Sequence, residues 1–219
     1  MTPKAPLLMA AFSLLSVLSA QAANIKISSL PFAITAPGTY VITGNLAFPV
    51  TANVAAITIS TDIQGPVIVD LKGFTLTGAA GDSIGVGIGL FAGTNGPNSY
   101  PITVRNGSLV NFGFGVWAEG LSFALMSDIT VNNLVIHLGP TGQSGNGAGV
   151  LFASAVSSTV SNCTFSGGAY GIEDTASSGG NNYSNDTFIG VNPLFVTAYN
   201  NNGGPQVIDH CQFGGPPAN

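Results

Sequence analysis

From residue 24 onward, apolar and polar residues alternate in short runs that recur in one phase along the chain. The phase is marked by a column of single residues, Asn45, Gly73, Asn106, Asn133, Asn162, Asn185 and His210, with steps of 28, 33, 27, 29, 23 and 25 residues. Steps of this size belong to stacked repeats. Two residues before the column stand Leu71, Val104, Val131, Val160, Tyr183 and Ile208, and four before it Val69, Ile102 and Ile129. That is the period of a half-buried strand. Polar residues between them, among them Asp70, Lys72, Thr103, Arg105, Thr130 and Thr159, are predicted to face outward. Three residues after the column stand Phe48, Leu76, Leu109, Ile136, Phe165, Phe188 and Phe213, which predicts a second short strand. A third run follows in most repeats, as in Val86-Gly87-Ile88, Gly115-Val116-Trp117, Gly149-Val150-Leu151 and Gly171-Ile172-Glu173. Three strands per repeat predict an all-β parallel β-helix, a solenoid of about seven rungs and roughly 34 Å long at the spacing of paired strands.

The column needs no function to explain it. Asn tolerates the left-handed conformation of a sharp bend, its amide can bond to the next Asn one rung away, and Gly73 meets the same backbone demand without an amide. Asn106-Gly107-Ser108, Asn162-Cys163-Thr164 and Asn185-Asp186-Thr187 fit the glycosylation pattern because the repeat places Ser or Thr two residues after the column. They are read as accidental.

Residues 29–46, SLPFAITAPGTYVITGNL, and 67–76, VIVDLKGFTL, resemble the opening of secreted bacterial right-handed parallel β-helix repeat proteins of the pectate-lyase-like superfamily. The likeness extends over nearly all of the chain after residue 28, and it implies a right-handed coil. It says little about activity, because one fold carries many functions.

At the N-terminus Lys4 precedes an apolar run, Pro6 to Ala20, and Ala20-Gln21-Ala22 supplies the small residues read by a signal peptidase. Residues 1–22 are therefore expected to be a secretory signal peptide and residues 23–219 one β-helix domain, secreted to the periplasm or the extracellular space. The apolar run is shorter than the roughly 20 residues of a membrane span, so no membrane association is expected after cleavage. Beyond the leader the basic residues are Lys26, Lys72 and Arg105, against nine acids in a chain that is 6% charged. Nucleic acid is not an expected partner, because phosphate binding needs a basic face. A surface of Thr, Ser, Asn and Gly suits neutral hydrogen-bonding ligands such as a polysaccharide or cell-surface glycan.

Cys163 and Cys211 each follow a column member but lie two rungs apart, about 9.6 Å by the rung spacing, which exceeds the reach of a disulfide. Two buried free thiols are predicted, and no metal site. His210 holds a column position and His137 follows Asn133 by four residues, so neither is placed for catalysis.

Carboxylates are the remaining route to chemistry. In the family that the chain resembles, calcium-dependent polyuronate lyases use clustered acids with an Arg or Lys base, and hydrolytic relatives use several Asp residues on neighbouring rungs. Neither pattern is complete here. Aligning the third runs puts Trp117 level with Leu151 and Glu173, and Ala118 level with Phe152 and Asp174. Glu119 and the Glu173-Asp174 pair then stand about 10 Å apart along the axis, at or beyond the roughly 6.5 to 9.5 Å of an inverting glycosidase. Asp70 lies beside Lys72, and Lys72 stacks one rung from Arg105. An exposed ion pair accounts for this group, and a uronate held by Lys72 and Arg105 is the alternative.

Three function classes follow. The favoured one is a non-catalytic carbohydrate- or surface-binding module, with Trp117, Tyr170, Glu173 and Asp174 on one strand face. The second is a lyase, hydrolase or epimerase acting on an acidic polysaccharide, which alone would call for calcium; otherwise no cofactor is expected. The third is a structural or ice-binding solenoid using Thr103, Thr130 and Thr159. The chain ends in Gly214-Gly215-Pro216-Pro217-Ala218-Asn219 without an amphipathic helix to cover the last rung, so fraying or end-to-end self-association is expected there.

Overall fold

A computed structural model describes residues 23–49, 54–60, 62–79, 84–91, 100–120, 125–139, 147–176, 179–198 and 205–214. The expected leader at residues 1–22 lies outside them. Every regular element among the described residues is a β-strand, and all strand pairings are parallel. The strands form sheets of 13, seven and two strands. In the largest sheet the run before the column extends from Ile25–Ile27 through Ile102–Val110 and Ile129–His137 to Val207–Asp209, with the run after the column paired alongside. The third runs make the seven-stranded sheet, from Phe32–Ile34 through Phe114–Glu119, Ala148–Ala153 and Tyr170–Ala176 to Asn192–Ala198. Neighbouring strands in a sheet come from successive repeats, and the chain is an all-β parallel solenoid.

The core lies between the two large sheets. Val69, Val104, Val131 and Val160 are partners in successive strands and are fully buried. So are Leu76, Leu109, Ile136 and Phe165, one in-register column on the other side of the bend. Further along it the rings of Phe165 and Phe188 stack at 5.1 Å and 13°, and those of Phe188 and Phe213 at 5.5 Å and 11°. A shift of one residue in any strand would turn its apolar set to solvent, so the burial pattern sets the register. Glycine is required where the seven-stranded sheet approaches this column. A Cβ on Gly149 would lie 2.3 Å from the Phe165 ring, and one on Gly115 would lie 2.9 Å from Ile136.

Asn106, Asn133, Asn162, Asn185 and His210 all bend the chain in the left-handed region, with φ between 51° and 60°. Lys72 and Gly73 both do so in their repeat. Asn45 does not join them. Leu46 rather than Phe48 pairs with Leu76, and Phe48 pairs with Gly78, so the first column member stands out of step. The reason is bend length. Tyr40, Val69 and Val104 are partners, yet the next mutual partners, Leu46, Leu76 and Leu109, come six, seven and five residues later. Asn45 still serves the next coil, its amide oxygen accepting from the Thr75 N–H at 3.0 Å.

The amide ladder is short. Asn133 donates to Asn106 at 3.4 Å and Asn106 donates to Asp70 at 3.2 Å. Among the described residues no such bond joins the exposed amides of Asn162 and Asn185. Backbone conformation rather than amide pairing is thus the main demand at the column. Asn133→Gly should stay within about 0.5 kcal/mol of the parent, whereas Asn133→Leu should cost about 1–2 kcal/mol through the left-handed strain of a branched side chain. Urea midpoints compare the two, and equal losses would restore the amide as the cause.

Candidate binding surface

The outer face of the seven-stranded sheet carries an aromatic cluster. Val116 and Ala118 point into the core, so Trp117 between them points out, where it is half-buried. Its ring meets Phe114 at 4.8 Å and 44°, and Phe91 edge-on at 6.0 Å and 70°. Gly89 is the partner of Trp117 on the adjacent strand. A Cβ there would stand 2.4 Å from the Phe91 ring, so the glycine is what allows Phe91 to fold over the sheet. The indole Nε1 is buried without a hydrogen-bond partner among the described residues.

The register places the other candidates around this cluster. Phe114 pairs with Ala148 and Ala148 with Tyr170; Trp117 pairs with Leu151 and Leu151 with Glu173. Phe114 and Trp117 therefore face Tyr170 and Glu173 across one intervening strand, about 10 Å away. The predicted levels of Trp117, Leu151 and Glu173, and of Ala118, Phe152 and Asp174, both hold. Glu173 is half-buried, and burial holds its carboxyl above the usual range. Glu119 is exposed and level with Phe91.

Asp174 does not share this face. It is fully buried on the core side, with Phe152 and Val196 as strand partners, because neighbouring residues of a strand point oppositely. Its Oδ2 accepts from Asn181 Nδ2 at 3.0 Å, from Gln206 Nε2 at 2.6 Å and from the Tyr183 hydroxyl. Asn181 is itself buried and accepts from the Ser158 N–H at 2.8 Å. Burial, and then the adjacent Asp174, push the Tyr183 hydroxyl far above its ordinary value.

Lys72 and Arg105 lie on the larger sheet's side and share one anion. Asp70 is buried, 3.0 Å from Arg105 Nε and 3.5 Å from Lys72 Nζ. Burial opposes its ionisation. The Lys72 N–H at 2.9 Å, the Asn106 amide and the Arg105 guanidinium outweigh that, and the carboxyl lies below its ordinary value. The predicted exposed ion pair is therefore a pair of part-exposed cations on a buried acid.

Both cysteines are free, as the rung spacing predicts, but of the two only Cys163 is buried; Cys211, on the last described coil, is half-buried because no further described coil covers it. Burial pushes the Cys163 thiol up to about 12, and also raises that of the half-buried Cys211. Between them, at the same position of the bend, sits Asp186, whose Oδ1 accepts from the Cys163 N–H at 2.8 Å. Its Oδ2 is buried with no partner among the described residues, and burial raises the carboxyl to about 6. Nothing in the sequence pattern singled it out except its place between the two cysteines. His137 Nδ1 contacts Ser166 Oγ at 2.9 Å and His210 contacts Asp209 at 2.6 Å. No three His, Cys, Asp or Glu side chains come together as a metal-binding group among the described residues.

No protein-family model, curated protein or solved structure matches the chain.

Two measurements follow from the buried groups. An unfolded Asp186 releases its proton near its ordinary value of 3.8 and the folded one near 6, so the folded state holds an extra proton between these values. The stability that Asp186 contributes is complete below about pH 4 and is lost as the pH rises through about 6. Asp186→Asn should raise stability at pH 7.5 by about 1–3 kcal/mol and leave it unchanged at pH 4, as read by urea denaturation at both values. The same gain at both would discard this assignment. Thiol titration of the unreduced protein should find two groups after unfolding, with Cys163 unreactive before it; finding none after unfolding would contradict the free thiols.

Proposed function

We propose that the chain is a secreted, non-catalytic binding module. It is a right-handed parallel β-helix of about seven rungs from the pectate-lyase-like superfamily, with a polysaccharide or cell-surface glycan as its ligand. The observation that carries this reading is the Phe91, Phe114 and Trp117 cluster on the outer face of a parallel sheet, with Tyr170 and Glu173 across one strand. Aromatic rings offer apolar area to the C–H faces of sugars, and Glu173 and Glu119 offer acceptors to hydroxyls. The indole N–H, buried without a partner among the described residues, is a donor that a ligand acceptor would satisfy once side-chain movement uncovers it. The polar, weakly charged exterior suits a neutral ligand better than a polyanion.

One observation favours a second reading. Thr103, Thr130 and Thr159 are direct partners on three adjacent strands and could order water at regular spacing. Ile68 on one side and Asn182 on the other end the array after three residues, so the aromatic face is preferred.

Glycan-array binding by the secreted protein should be detected, and Trp117→Ala should weaken it about tenfold, with Trp117→Phe retaining part of the affinity. A thermal midpoint measured on each variant separates lost binding from lost folding. With polygalacturonate or alginate, with and without calcium, no unsaturated product is expected. Product absorbance that disappears in Arg105→Ala would replace this reading with a lyase.

A further inference from the structure

The two ends of the solenoid are the two ends of the same columns. One interior column of the larger sheet runs from Ile25 through Tyr40, Val104 and Tyr183 to Ile208, each strand pairing with the next. Its inner members are buried, while Ile25 is 39% exposed and Ile208 53% exposed. The adjacent outward column begins at Lys26 and ends at Asp209. Within that column Asp70 and Arg105 are neighbours, and they are joined at 3.0 Å, so opposite charges on adjacent strands do meet there. At the C-terminal end Ile172, Tyr183, Phe188, Ile208, Cys211 and Phe213, the last 58% exposed, line a shallow apolar recess of about 10 Å³. Strands Val207–Asp209 and Gln212–Gly214 each have a partner on one side only among the described residues. At the other end Ile25–Ile27 is likewise paired on one side, with half-buried Leu30 packed on the core beside it.

We propose that a second copy of this chain occupies the C-terminal end, stacked head to tail, with Ile25–Ile27 of one copy added in parallel to Val207–Asp209 of the next. Removal of the expected leader after residue 22 leaves that first strand close to the new terminus. Parallel addition in the existing register puts Ile25 against Ile208 and Lys26 against Asp209, and brings Leu30 toward Phe213. The junction continues a ladder that already runs through the chain, and it covers two exposed apolar column ends with one contact. Asp209 contacts His210 at 2.6 Å and, like Lys26, is exposed, so the contact adds an opposite-charge pair where both ends were solvated. The two surfaces are different, so the contact is heterologous and repeats without closing.

The test is sedimentation equilibrium of the full chain, expressed with its leader and purified after secretion, over a hundredfold range of concentration. The weight-average mass should rise past that of a dimer. Lys26→Glu and Asp209→Lys should each weaken association about fivefold or more, and the exchange of both charges in one chain should restore it. Thermal midpoints unchanged by these surface substitutions keep the comparison free of folding effects. The mass of one chain at every concentration would overturn the proposal. So would a dimer that never grows and ignores Lys26→Glu, which would mean two C-terminal ends meeting about a twofold axis, and so would association that the charge exchange fails to restore.

Discussion

Everything in this solenoid depends on turning one corner so that the inward side chains on its two sides stay stacked from coil to coil. Parallel strands bond only to the coils above and below, so a corner longer or shorter than its neighbours must absorb the difference in its own backbone if the next strand is to stay in register. From Val104 and Leu109 onward the two inward side chains that flank the corner stand five residues apart in successive coils. A single left-handed residue makes that spacing possible, and Asn, or once His, supplies it. Where the corner is longer, as between Val69 and Leu76, two left-handed residues, Lys72 and Gly73, take up the excess. The constant corner then stacks Leu109, Ile136, Phe165 and Phe188 into one column, against which Gly115 and Gly149 allow the facing sheet to close.

Three buried carboxylates show how the fold tolerates charged groups shielded from water. Removing a carboxylate from water is costly unless its charge or its hydrogen bonds are matched. Asp70 is matched by charge and by donors from Lys72, Arg105 and Asn106. Asp174 is matched by neutral donors from Asn181, Gln206 and Tyr183. Asp186 is given one backbone donor and answers burial by holding its proton more tightly. The contrast explains why Lys72 and Arg105 are poorly placed as a free cationic clamp, since a large part of their field is spent on Asp70.

The outer faces are set by what the core does not use. In the seven-stranded sheet the residues between inward positions are free to vary, and here they assemble Phe91, Phe114 and Trp117 on one side and Tyr170 and Glu173 on the other. The aromatic cluster also depends on a missing side chain, because only Gly89 leaves room for the Phe91 ring.

Much of this was legible in the sequence because a solenoid makes alignment in sequence equivalent to stacking in space. The period of 2, the recurring left-handed bend and the apolar residue three positions later follow from local backbone demands, so the strands, the parallel pairing and the levels of Trp117, Leu151 and Glu173 could be read directly. That Cys163 and Cys211 are not joined followed from the same arithmetic. The offset of Asn45 was not legible, because it arises from corner lengths of six and seven residues that no local pattern specifies. The composition of the run places Asp174 with Glu173 on the surface, although strand alternation forbids that; what keeps it buried is a set of donors from residues 181, 183 and 206, brought together only when the coils stack. Phe91 and Phe114 also joined Trp117 only in three dimensions, since ring contact depends on side-chain direction and on the empty space over Gly89, and neither is set by a residue's position in the repeat.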